Sequence, residues 1–233
     1  MTADPSTGKL AARVCWGPRA ETAADLAARW AATNHALAAI DPPLSGWAVA
    51  DQDGTVIPLA EEHLEPIVAA GAAERDELGF SFGTSTDQDH GPLLFHASAG
   101  LHAPVPGLLN LARVEGSAAA LGGAFEAVLA ALVAAWEPDH GQLSAQPWLH
   151  AQQPAQREPW AGAVTYLSAA RSSLVPQDLA AGAYLTPDGG MLLSLVAPDG
   201  TLPAASEVAE LGTRLREAGA FGPVPTDRAL WSS

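Results

Sequence analysis

The 233-residue chain has very few cysteines and lysines. It contains one cysteine, Cys15, and one lysine, Lys9, among 11 basic residues. One cysteine excludes an intrachain disulfide framework and a cysteine-based zinc site. Without clustered lysine and arginine, there is no source for the counterion release that drives nucleic-acid binding, so we predict no nucleic-acid partner.

Long uninterrupted apolar runs are also lacking. Residues 1–14 contain no continuous apolar segment of the kind found in secretory signals. The most apolar stretch, residues 118–136, is interrupted by Gly122, Gly123 and Glu126, which favours a buried helix over a membrane span. We therefore expect a cytoplasmic protein that has no membrane partner.

Signatures of nucleotide, metal and calcium binding are missing. The chain has neither the phosphate-binding G-x-x-x-x-G-K-[ST] motif nor the dinucleotide-binding G-x-G-x-x-G motif. His90, His96 and His102 are evenly spaced, but six extended residues separate the last two by about 20 Å, too far for one shared ion. The acidic turns at 51–54 and 86–91 lack the glutamate that completes a calcium loop. We predict no catalytic residues, no metal site and no cofactor, and hence no enzyme.

What the chain has in excess is negative charge. The formal net charge is −15, and the sequence pI is near 4.6. Such a field attracts basic partners, although a solvated acidic face that keeps the protein soluble is an alternative explanation. On charge alone, the candidate partner-binding residues are Glu61, Glu62, Glu65, Asp87 and Asp89.

The order of periodic segments predicts the fold class. Helical spacing of apolar residues runs from Thr22 to about residue 40, over 125–136, and from Ser206 onward. Between these helices lie clusters of strand-like segments, which do not alternate strictly with helices. They include one strand predicted at 141–149 and two strands predicted on either side of the PDGG turn at 187–190. This order predicts an α+β fold with a mainly antiparallel sheet and long amphipathic helices packed on one face.

The same order predicts how the chain is divided. We expect a flexible N-terminus at 1–9, a single domain at 10–221, and a loosely ordered tail at 222–233. The domain is compatible with two similar halves, 10–116 and 117–221. Each half contains a long helix that ends in an acidic residue and proline.

The segment WGPRAE at 16–21 predicts a structural corner. A strand is expected to end at Trp16, Gly17 and Pro18, and Thr22 with Asp25 forms a T-x-x-D capping box that starts the next helix. Arg19 follows the corner and could pair with Glu137 or Asp139 at the end of the helix at 125–136. A ligand carboxylate is the functional alternative for Arg19.

Five segments together resemble one known family. The set is moderately specific, because the segments fall in the family's order over nearly the whole chain. They are WGPRAE at 16–21, ALAAIDPPLSGW at 36–47, ELGFSFG at 77–83, LVAAWEPDHG at 132–141 and GAVTYLS at 162–168. On these residues the chain resembles the immunity protein 52 family of bacterial polymorphic-toxin systems.

The resemblance implies a cytoplasmic protein that binds and neutralises a cognate toxin domain, in this family often a nuclease. The negative net charge of the chain fits this role, because nuclease domains are usually basic and attract an acidic partner. The resemblance does not indicate which residues of this chain would contact the toxin. The alternative from another class is a small-molecule-binding or enzymatic α+β domain with a cleft that uses Arg19 and histidines.

Overall fold

We describe a computed structural model of the chain. The structure describes residues 8–50, 56–74, 79–86, 91–103, 105, 108–155 and 158–222. The predictions for the termini therefore fall largely outside the described residues, although Lys9 already lies in the first strand.

A single ten-stranded sheet runs through the described part of the chain. Its strands are β1 (Lys9–Trp16), β2 (Ala48–Ala50), β3 (Val56–Pro58), β4 (Phe80–Thr86), β5 (Leu93–Ala99), β6 (Asn110–Ser117), β7 (His140–Ser144), β8 (Val164–Leu167), β9 (Tyr184–Leu185) and β10 (Met191–Ser194). The strand order is β3-β2-β4-β5-β6-β1-β7-β8-β10-β9, and every described pair is antiparallel. β1 thus joins the strands of the two predicted halves into one sheet.

Seven α-helices accompany this sheet in the described residues. They are α1 (Ala23–Ile40), α2 (Leu64–Glu74), α3 (Phe125–Trp136), α4 (Gln146–Gln152), α5 (Ala169–Ser172), α6 (Gln177–Ala180) and α7 (Ala205–Glu217). Short 3-10 turns cover Pro42–Leu44 and Glu61–His63. Among the helices described, none has the length and apolar character needed to cross a membrane. The predicted α+β class with a mainly antiparallel sheet is confirmed.

Helices α1, α2 and α3 pack on one face of the sheet. Strands β4, β5 and β6 alternate between buried and more exposed residues, so their other face is open. Strands β7, β8 and β10 are buried at nearly every position, which means that both of their faces are covered. The sheet therefore changes from half-covered at β4–β6 to covered on both faces at β7, β8 and β10, whereas the edge strand β9 is exposed.

An aromatic cluster forms the core between α1, α3 and the sheet. The Trp30 ring lies 4.4 Å from that of Phe82 and 6.0 Å from that of Phe95. The rings of Trp16 and Trp136 stack at 5.2 Å, and the indole N–H of Trp136 donates to the Thr33 hydroxyl at 2.9 Å. Because the indole N–H is satisfied, this tryptophan is buried without leaving a polar group unpaired.

One local prediction is wrong, and two short helices were not predicted. Residues 141–149 were expected as one strand, but β7 ends at Ser144 and α4 begins at Gln146, with Pro147 in its first turn, where proline is tolerated. The segment 169–180 forms the short helices α5 and α6, which no periodic pattern in the sequence predicted. Helices of four residues are too short to produce such a pattern.

The capping box at the start of α1 provides a first test. The amide of Asp25 donates to the Thr22 hydroxyl, and the Asp25 carboxylate accepts from the Thr22 amide. We expect Thr22→Ala to lower the free energy of unfolding by about 1 kcal/mol, because the cap acceptor is lost. Urea denaturation measures this change, and Thr22→Ser serves as the control that keeps the hydroxyl. Equal losses in the two variants would contradict the capping role.

Candidate functional site

Three of the predicted partner-binding residues lie together at the start of α2. Glu61 and Glu62 occupy the 3-10 turn that leads into the helix, and Glu65 lies in its first turn. All three are exposed. Acidic residues at a helix start also complement the helix dipole, so the position favours negative charge structurally. Asp87 and Asp89, at the predicted tip of the β4–β5 hairpin, lie outside the described residues.

This acidic group borders a cleft between α1, α2 and the short strands β2 and β3. The cleft has a volume of about 570 Å³. It is lined by Ala31, Asn34, His35, Ala38, Ser45, Gly46, Trp47, Ala48, Pro58, Leu59, Glu61 and Leu64. Most of these side chains are apolar, and we call this cavity the α1–α2 cleft. Its size falls within the range of sites that hold small molecules or anchor residues of a partner.

The sequence positions the cleft through two local features. In α1 the large apolar residues Trp30 and Leu37 point into the core, so the small residues Ala31 and Ala38 remain on the side facing the cleft. After the helix, the proline-containing turn Pro42–Leu44 leads to Trp47, which lines the cleft together with Ala31 and Ala38 of α1. Trp47 is nearly buried, and its indole N–H donates to the Leu44 carbonyl at 3.2 Å.

The polar groups of the α1–α2 cleft favour a ligand that donates hydrogen bonds. The side-chain oxygen of Asn34 is buried without a hydrogen-bond partner. Nε2 of His35 lies 3.4 Å from a carboxylate oxygen of Glu61, and both side chains are largely exposed, at 73% and 65%. An unpaired amide oxygen and a carboxylate together accept from a guanidinium or an ammonium group.

The residues of the predicted corner lie elsewhere and are engaged with each other. Nη1 of Arg19 donates to the Trp136 carbonyl at 3.0 Å, and Nη2 lies 2.7 Å from the Glu21 carboxylate. Glu137 is farther away, at 4.0 Å from Nη1. The guanidinium also lies over the ring of Trp16, 5.1 Å from its centre.

A second arginine completes this network between α1 and the end of α3. Arg29 donates to Glu21, to Glu137 and to the Ala135 carbonyl at 2.6, 2.8 and 2.7 Å. Arg19 is not among the residues that line the α1–α2 cleft. The corner thus joins α1 to the end of α3 and lies apart from the acidic residues at the start of α2.

Two further sequence features do not form a catalytic site. The run Gly79–Gly83 has the pattern G-x-S-x-G, which the sequence reasoning missed. Ser81 lies inside β4 and its hydroxyl contacts that of Ser98 at 3.3 Å, whereas a hydrolase nucleophile requires a strand-to-helix turn. The described residues contain no group of three or more histidine, cysteine, aspartate or glutamate side chains that could hold a metal ion. His90 is outside the described residues.

Comparison with solved structures shows similarity at the level of the fold. No protein-family model matches the chain, and no curated protein matches it in sequence. The fold is similar to that of a solved structure described as the Pseudomonas aeruginosa T6SS protein PA0821, with a TM-score of 0.50 and 12% sequence identity. The match covers 92% of this chain and 74% of that one. At this identity the similarity shows the fold, which this chain shares with a secretion-system protein.

Proposed function

We propose that this protein is an immunity protein, which binds and neutralises a cognate toxin domain of a bacterial polymorphic-toxin or secretion system. It acts in the cytoplasm as a stoichiometric inhibitor and not as an enzyme. Its target is a basic nuclease domain. The observation that carries the proposal is the exposed acidic group Glu61, Glu62 and Glu65 beside an apolar cleft, on a protein whose net charge is −15.

Electrostatics supports this assignment in two ways. A nuclease that grips phosphates needs a basic cleft, and an acidic surface of matching shape covers that cleft and excludes the nucleic acid. The long-range field of a protein with net charge −15 also accelerates the encounter with a basic partner. Fast association benefits an inhibitor that must act before its toxin cleaves nucleic acid.

The α1–α2 cleft supplies the short-range part of the interaction. We propose that an arginine or lysine of the toxin enters it, placing its charged end between the Glu61 carboxylate and the unpaired oxygen of Asn34. Its aliphatic stem then packs on Trp47 and Leu59. Arginine in a pocket of this kind, against an aromatic ring, is a common energetic centre of protein interfaces.

Two similarities support the type of biological system. The ordered segments of the sequence resemble the immunity protein 52 family, and membership of that family is part of the proposal. The fold is similar to that of a T6SS protein, which fits a role connected with a secretion system. Neither similarity identifies the toxin.

The alternative function, binding of a small molecule, has one observation in its favour. The volume of the α1–α2 cleft, about 570 Å³, suits a small ligand as well as an anchor side chain. Arg19 borders a different cavity, of about 420 Å³, together with Glu21 and Arg29. The guanidinium contacts Glu21 and the end of α3 and does not line this cleft.

Binding kinetics with a candidate toxin domain, taken from the product of a neighbouring gene, test the proposal. We expect a tight complex, and we expect Glu62→Lys/Glu65→Lys to slow association about tenfold at low salt, because the steering charge is reversed. The difference between variant and wild type should shrink as ionic strength rises. Surface plasmon resonance at several salt concentrations measures both effects.

The matched control is Glu210→Lys/Glu217→Lys, which changes the net charge equally at exposed positions of α7. Association of this control should slow by less than about threefold. If both double variants slowed association equally, net charge alone would explain the rate. The proposed role of the acidic residues at the start of α2 would then be wrong. The absence of any complex with the toxin domain would overturn the proposed function as a whole.

A further inference from the structure

A second cleft lies on the face of the sheet opposite α1 and α3. In β1 the residues Ala12 and Val14 belong to the core beneath α3, so the alternating residues Arg13 and Cys15 face the other way. There they border a cleft of about 270 Å³. Its remaining lining residues are Ser98, Leu108, Leu109, Leu111, His140, Ala155, Glu158 and Trp160. We call this cavity the β1–β7 cleft.

The β1–β7 cleft gathers buried nitrogen atoms that have no hydrogen-bond partner. They are Nε of Arg13, Nε1 of Trp160 and Nδ1 of His140. The first two always carry a hydrogen, and the third can carry one in the appropriate tautomer. His140 is 3% exposed. Unpaired buried donors are costly, and a ligand that accepts hydrogen bonds would remove that cost.

The charge in the β1–β7 cleft is positive although the protein is acidic. The guanidinium of Arg13 lies 5.1 Å from the centre of the Trp160 ring. Glu158 also lines the cleft, but its carboxylate accepts from Arg216 and from the Ala155 amide, so its charge is balanced. Burial is the main cause that lowers the pKa of His140 well below its usual value, and Arg171 and Arg13 lower it further.

The neighbouring strands extend the same pattern. In register across the sheet, His96 lies opposite Arg113, Arg113 opposite Arg13, and Arg13 opposite Gln142. Each of these side chains has a buried polar atom without a hydrogen-bond partner. Two arginines directly opposite each other on antiparallel strands repel, and only one of them, Arg113, has a described carboxylate partner, Glu115 at 3.2 Å. An anion beside Arg13 would relieve this repulsion.

We propose that the β1–β7 cleft binds a small organic carboxylate. The carboxylate accepts from the N–H groups of Arg13, Trp160 and His140. The apolar body of the ligand packs on Leu108, Leu111 and the Trp160 ring. Leu108 is 39% exposed, so the apolar side of the cleft is open to an entering molecule. The proposal does not depend on toxin binding, because the two clefts share no lining residue.

Calorimetric titration with three probes tests the assignment. Benzoate carries both a carboxylate and an apolar body, inorganic phosphate lacks the apolar body, and benzyl alcohol lacks the charge. We expect saturable benzoate binding, with phosphate and benzyl alcohol each weaker by about tenfold or more. Equal binding of phosphate would overturn the carboxylate assignment, and no saturable binding of any probe at millimolar concentrations would overturn the site.

Variants locate the binding. Arg13→Gln should weaken benzoate about tenfold or more, and Trp160→Phe, which keeps an aromatic ring but loses the N–H, several-fold. Arg214→Gln on α7 removes an equal charge outside the cleft and should change the affinity less than twofold. Circular dichroism and urea denaturation confirm that each variant is folded. An equal loss in Arg13→Gln and Arg214→Gln would mean non-specific attraction and would contradict the proposal.

Discussion

Replacing Gly162 by alanine is expected to destabilise the protein by more than about 3 kcal/mol, because the added methyl group collides with backbone that cannot move away. A Cβ at this position would lie 2.0 Å from the Leu143 carbonyl oxygen and 2.7 Å from its carbon. That carbonyl accepts from the Ala163 amide at 2.9 Å, at the point where β8 joins β7. The substitution therefore forces the two strands apart.

Gly182→Ala is the matched control for this prediction. A Cβ there would have no heavy atom within 4 Å, and the residue does not have a positive φ. We expect this variant to be neutral or stabilised by up to about 1 kcal/mol, because alanine restricts the unfolded chain. Urea denaturation of both variants measures the difference. Similar stabilities would show that the β7–β8 junction tolerates a side chain.

The second large effect is expected at Asp139, just before β7. Its carboxylate accepts from the Gly17 amide at 2.9 Å and is 4% exposed at the residue level. Its negative charge also favours the charged form of the Arg171 guanidinium. Arg171 is equally buried and donates to the Ala220 and Gly222 carbonyls. Burial lowers the pKa of the Arg171 guanidinium, and the negative charge of Asp139 opposes that shift.

We expect Asp139→Asn to lower the free energy of unfolding by about 3 kcal/mol, because a buried arginine loses its nearby opposite charge. The asparagine oxygen can still accept from the Gly17 amide, so the loss reports on charge more than on that hydrogen bond. Asp178→Asn, which removes the exposed partner of Arg214, should cost less than about 1 kcal/mol. Equal effects at the two sites would contradict the electrostatic coupling between Asp139 and Arg171.

Asp139 is one of several remote residues that contact the corner at WGPRAE. Three polar contacts join the corner to segments that are remote in sequence. The Gly17 amide donates to Asp139, the Arg19 guanidinium donates to the Trp136 carbonyl, and the Asn110 side chain contacts Gly17. Asn110 donates to the Gly17 carbonyl at 2.8 Å and accepts from the Leu101 amide at 3.0 Å. The segment is thus a junction of β1, β6 and the end of α3, and its polar groups satisfy buried backbone.

Local physics was sufficient for the sequence to predict several elements. The T-x-x-D box starts α1, the stop after Trp136 ends α3, and the PDGG turn joins β9 and β10. Each of these depends on residues within one or two turns of each other, so the chain carries the information locally. The α+β class follows from the order of these elements.

Only the tertiary structure decided which residues meet. The acidic residues at the start of α2 were chosen from charge alone, and nothing local indicated that Asn34 and Trp47 form a cleft beside them. The pairing of β1 with β7, which brings Arg13 beside Gln142 and Cys15 beside His140, joins residues more than a hundred positions apart. Both clefts are built by such long-range contacts, and a sequence periodicity reports only on neighbours along the chain. The sequence by itself therefore determined the longer helices, the fold class and the sign of the charge, whereas sheet register and helix packing determined the sites.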